Sequence, residues 1–85
     1  MEIVIDQEID RLKELADEIL EEVELAASEH ATIEDIDNAQ ELVSDLVDQY
    51  RGLLDQSETS DAARIDAQLG PKVRHLQGIM EQARP

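Results

Sequence analysis

Apolar residues stand at Ile5, Ile9, Leu12, Ala16, Ile19, Val23 and Ala26, with spacings of 4, 3, 4, 3, 4 and 3. A strand would need a period of two. Alternating steps of three and four repeat every seven residues, so they put one apolar line along a helix for its whole length. Leu15 and Leu20 flank that line and widen it to the stripe of a helix that packs in a bundle. The spacing predicts a helix over about 6–29, roughly 36 Å long at 1.5 Å per residue.

The same pattern returns twice. Ile36, Ala39, Val43, Leu46, Tyr50 and Leu53 follow steps of 3, 4, 3, 4 and 3, flanked by Leu42, Val47 and Leu54. Ahead of them, Thr32-Ile33-Glu34-Asp35 reads as an N-cap followed by acidic residues that suit the positive end of a helix dipole. Asp35 takes the place that Glu or Gln holds in a capping box. The expected second helix spans 33–56, after a turn at 29–32. A polar run, Ser57-Glu58-Thr59-Ser60-Asp61, forms the next loop.

In the last segment Ala62, Ile65, Leu69, Val73, Leu76, Met80 and Ala83 step by 3, 4, 4, 3, 4 and 3. The doubled four falls at Gly70-Pro71. Proline inside a helix loses one hydrogen bond and strikes the preceding turn, at a cost of about 3 kcal/mol, yet it fits the first position of a new helix. The expectation is a helix over 60–69, a break, and a helix over 71–83, with a continuous kinked helix as the alternative. Short loops place consecutive helices antiparallel. The fold class that follows is all-α, an antiparallel three-helix bundle spanning 1–85 as a single helical domain, its third helix kinked or broken at Gly70-Pro71.

The bundle must be built from branched aliphatics. Apolar residues make up 41% of the 85, with one aromatic, Tyr50, and no Phe or Trp. That content is too apolar for a disordered acidic tail. An aliphatic core in so small a domain gives modest stability, which makes association with a partner or a second copy an expectation. The absence of cysteine excludes a disulfide framework. There is no apolar run long enough to span a membrane and no basic leader before an apolar stretch, so a cytoplasmic protein is expected.

Charge sets the class of partner. The 22 Asp and Glu against 7 Lys and Arg give −15. Residues 1–31 carry a net −9, residues 32–57 a net −6 and residues 58–85 none. Direct binding of nucleic acid through a basic surface is excluded by this balance. Off the apolar lines lie Asp10, Glu14, Asp17, Glu18, Glu21 and Glu24 in the first helix, and Asp37, Glu41, Asp45, Asp48 and Asp55 in the second. Such a face keeps a protein soluble, or adapts it to high salt, or meets a basic protein. Side by side the two helices carry about one charge per 2.4 Å, near but below the one per about 1.7 Å of duplex DNA. Apolar residues beyond the seams, at Met1, Ile3, Val4, Ile5, Leu25 and Ile79, offer a second handle for association.

Reactive groupings fail on spacing. A carboxylate-bridged di-iron bundle needs Glu three residues before His on two helices, and those places before His30 and His75 hold Ala27 and Lys72. A calcium loop counted from Asp35 needs Gly and Glu where Gln40 and Leu46 stand. Leu69-Gly70-Pro71-Lys72 lacks the glycines and the hydroxyl of a phosphate loop. Arg11, Arg51 and Arg74 lie off the seams rather than converging inside. The expectation is a non-enzymatic protein-protein interaction module (adaptor, chaperone-like or regulatory subunit) with no catalytic, metal or cofactor site. The alternative is an acidic inhibitor or DNA mimic that occupies a basic nucleic-acid-binding surface. The partner-binding residues expected are Asp10, Glu14, Asp17, Glu18, Glu21, Glu24, Leu25, Glu41, Asp45 and Asp48.

Overall fold

A computed structural model describes residues 4–83. It contains three helices: α1 (Ile5–Ala26), α2 (Ile33–Gln56) and α3 (Thr59–Ala83). Each packs on both others, in a rod of 44 × 20 × 16 Å. Side-chain links give the topology. Arg11 reaches Gln49 across α1 and α2, which run antiparallel. Asp6, Lys13 and Asp17 of α1 meet Arg64, Gln68 and Lys72 of α3 at nearly constant separation, so α1 and α3 run parallel. The architecture is the antiparallel three-helix bundle that the spacings require.

The heptad lines become the core. Ile9, Leu12, Ala16, Ile19, Val23 and Ala26 of α1 are buried against Ala39, Val43, Leu46, Val47 and Leu53 of α2 and Ile65, Leu69, Val73, Leu76 and Met80 of α3. Among the described residues, no polar or charged side chain is buried. Burial of apolar area, at about 25 cal/mol per Å², is therefore the main force closing the bundle.

The loop read over 57–61 is shorter than expected, since α3 already begins at Thr59, and two larger differences from the sequence expectation stand beside it. α1 stops at Ala26, not near Glu29. Its last buried residue is Ala26, and the four residues that follow, Ala27, Ser28, Glu29 and His30, are all exposed, so another turn would bury nothing. Glu21, Glu22 and Glu24 also crowd the negative end of the helix dipole, with no basic residue in the last turn. Ser28 completes the stop, its Oγ donating to the Leu25 carbonyl at 2.7 Å. α2 starts where the capping box requires: Asp35 N donates to Thr32 Oγ1 at 3.1 Å and Thr32 N to Asp35 Oδ2 at 3.0 Å.

The other difference lies in α3. The break expected between 69 and 71 does not occur: one helix runs from Thr59 to Ala83 with Pro71 inside it, the continuous alternative. Ile65 and Leu69 before the proline and Val73, Leu76 and Met80 after it enter the same core. Ending the helix at Leu69 would turn one of these sets out of phase, a loss of several buried aliphatics at about 1.5–3 kcal/mol each. That exceeds the cost of one proline.

Gly70 has a role in this stretch. A Cβ there would stand 2.7 Å from Asp66 Oδ1 and 3.0 Å from an Arg74 nitrogen. The missing side chain lets Asp66 and Arg74, two turns apart, approach over the backbone to 3.7 Å. Tyr50 joins them from α2, its hydroxyl donating to Asp66 Oδ1. Burial, and then the Asp66 carboxylate, push the Tyr50 phenol up from 10.0 to about 12. The folded state thus holds this proton longer than the unfolded one. The associated stability is fully present below about pH 10 and is lost as pH rises towards 12. Because Tyr50 is the sole aromatic residue, tyrosinate absorbance reports it without interference. A titration midpoint near 12 is expected, falling towards 10 in Asp66→Asn; a wild-type midpoint near 10 would show the contact to be absent.

Candidate functional site

The three helices differ in charge. α1 carries nine acids and two bases, and α2 seven acids and one base. α3 carries three of each. Two exposed cations of α3 reach across to α1, Arg64 to Asp6 at 3.1 Å and Lys72 to Asp17 at 3.0 Å, while the third, Arg74, lies 3.7 Å from Asp66 of its own helix. The neutral helix therefore clips onto the acidic pair along one side of α1. Exposed pairs of this kind are each worth well under 1 kcal/mol. Their effect is to fix which flank of α1 faces α3.

The other flank of α1 faces α2, and there the surface is concave. Glu8, Arg11, Leu15, Glu18 and Glu22 follow steps of 3, 4, 3 and 4 along one line of α1. On α2 the facing line is Leu42, Gln49, Gly52 and Gln56. Two depressions lie along this seam. One, of about 300 Å³, is lined by Leu15, Glu18, Ile19, Glu21, Glu22 and Leu42. The second, of about 310 Å³, is lined by Glu8, Arg11, Gln49, Gly52, Leu53 and Gln56. The one cation in either depression, Arg11, is engaged: its Nη2 donates to Glu8 Oε2 at 2.8 Å and its Nη1 to Gln49 Oε1 at 2.9 Å. The groove is an acidic trough with half-buried leucines on its floor.

The sequence-expected residues are all exposed, but they do not form one ridge. Glu18 and Glu21 line the α1–α2 groove. Asp17 turns to the opposite flank and pairs with Lys72. Asp48 belongs to a different depression, between α2 and α3, of about 390 Å³, whose lining includes Arg51, Gln77 and Glu81. Asp10, Glu14, Glu24, Glu41 and Asp45 are solvated, in no ion pair among the described residues. Leu25 is 53% exposed, one turn beyond Glu21 and Glu22.

Of the apolar excess, Ile5 and Ile79 pack against the core, whereas Val4 stays exposed. Met1 and Ile3 fall outside the described residues. Ile33, 79% exposed at the start of α2, was not among the expected handles. Sequence reasoning also missed Glu22 and the pairing of Leu15 with Leu42. Both leucines were legible as flanking the seams, but not as neighbours. His30 and His75 are exposed, and among the described residues no three His, Asp or Glu side chains are grouped to hold a metal ion. No helix among them is long and apolar enough to cross a membrane.

The family model for the Embryogenesis-like protein helical domain matches residues 6–84, which takes in all but the first residue of the three helices. No curated protein and no solved structure matches the chain.

Proposed function

The chain belongs to the family of the Embryogenesis-like protein helical domain, and on that premise we propose that it acts by binding another protein, not by catalysis. The α1–α2 face receives the partner, and the partner presents a basic surface, met in the cytoplasm. The observation that carries this reading is the acidic groove: Glu18, Glu21 and Glu22 around Leu15 and Leu42, and Glu8 in the depression beside them, with Arg11 already committed to Glu8 and Gln49. Carboxylates on this rim raise the association rate for a cationic partner and reject acidic ones, while apolar contact on the floor supplies affinity.

A second reading draws on charge alone. With net −7 on α1 and −6 on α2, the pair carries about one charge per 2.8 Å along roughly 36 Å. That supports a partner whose basic surface otherwise holds nucleic acid, with this protein as its inhibitor.

The test is affinity capture from the source cell with wild-type protein and with Glu18→Gln/Glu21→Gln/Glu22→Gln, at low and high salt. The proposal expects a specific partner with a basic face, retained by wild type at low salt and lost with the triple variant. Identical capture by both proteins at both salt concentrations would defeat it. If duplex DNA displaces the captured partner, the inhibitor reading is the one that stands.

A further inference from the structure

We infer that the α1–α2 groove is the seat for one basic amphipathic helix of the partner, laid in as the fourth helix of a bundle, with Gly52 as the place of closest approach. This inference rests on the interaction reading above and adds the secondary structure, the length and the seat of what is bound.

The groove has the dimensions of a helix. Its α1 wall runs from Glu8 to Glu22, fourteen steps, or about 21 Å at 1.5 Å per residue. Both walls carry heptad-related steps, so a straight rod of about four turns touches each in register. Apolar contact is offered at Leu15 and Leu42, which are only partly buried by the three helices present, and at Leu25 beyond them.

Gly52 supports a close contact. It sits inside α2, where glycine costs about 0.5–1 kcal/mol relative to alanine. Nothing in this chain repays that: a Cβ on Gly52 would meet no atom within 4 Å, and the backbone has no positive φ. Gly70 differs, since side chains cross it closely. Gly52 lines the second depression, where the missing side chain leaves room for a backbone from outside. Close helix approach at glycine is a recurrent packing device.

Charge selects the class of helix. The groove lining has four carboxylates against one engaged arginine. A second copy of this chain would bring like charges face to face, which costs several kcal/mol. The occupant is therefore a foreign helix with apolar residues at heptad spacing and Lys or Arg flanking them.

The probe is a labelled helical peptide of about 14 residues, the length of the groove, with Leu at heptad spacing and Lys elsewhere, its binding followed by fluorescence anisotropy. A scrambled peptide of equal composition is the control for charge alone. Gly52→Leu adds bulk to the groove from a Cβ that meets nothing in its own chain, and Gly78→Leu makes the same change on the exposed side of α3, where a Cβ also meets nothing. Both are expected to melt at or above the wild-type temperature. The expected result is about a tenfold or greater loss of peptide affinity in Gly52→Leu and less than about a twofold change in Gly78→Leu. The scrambled peptide binds at least about tenfold more weakly than the patterned one. Wild-type affinity in Gly52→Leu, or equal binding of the scrambled peptide, would overturn the seat. If the Glu18/Glu21/Glu22 triple variant alone weakens binding, the seat falls while the interaction reading survives. If no variant weakens it, both fall.

Discussion

Leu12→Ala is expected to lower the melting temperature of the domain by about 11–40 °C. Leu12 has no exposed surface and lies on the α1 seam between Ile9 and Ala16, in the core shared by all three helices. Truncating such a leucine costs about 2.7–5 kcal/mol, part transfer and part cavity. A domain of this length is stabilised by about 0.05–0.15 kcal/mol per residue, roughly 4–13 kcal/mol in all. Its core has no Phe or Trp, so no large ring is at hand to swing into the gap. Thermal melts followed by helical circular dichroism measure the loss. Leu12→Met, which keeps the volume, should cost less than about 1.5 kcal/mol. A melting temperature in Leu12→Ala within a few degrees of wild type would mean that the bundle core is not where the structure puts it.

Pro71→Ala is expected to act in the other direction, raising stability by about 2–2.6 kcal/mol, or about 8–20 °C in melting temperature for a domain of this size. Alanine restores the N–H that bonds to the carbonyl of Ala67 and removes the ring from that turn, relieving a cost of about 3 kcal/mol. Part of that gain is returned, because proline also stiffens the unfolded chain by about 0.4–1 kcal/mol. Pro71 is exposed, so the substitution opens no cavity. A fall in melting temperature would show that the packing of α3 depends on the proline, making it a structural requirement.

Much of the fold was legible in the residues. The steps of three and four named every buried residue of α1 and all of those in α3 but Gly70. They named four of the five in α2 and left Val47 as a flank. Thr32 and Asp35 announced the start of α2 through complementary hydrogen-bonding groups three residues apart. What was missed at Gly70-Pro71 was a competition between a local penalty and tertiary burial, which cannot be settled until the core on both sides of the proline is known. What was missed at the end of α1 was the lack of anything for a further turn to cover.

The candidate site was less legible, and handedness is the reason. A heptad line says which side of a helix faces inward, but the same pattern fits a bundle whose second and third helices are exchanged around the first. Only the folded arrangement decides that Asp6, Lys13 and Asp17 meet α3 while Arg11, Leu15, Glu18 and Glu22 meet α2. Sequence by itself determined three helices, their inward lines and an acidic exterior, because these follow from spacing and composition. Which carboxylates share a groove with which leucines was settled by the sense in which the helices wind around one another, a property of contacts between segments that no single segment encodes.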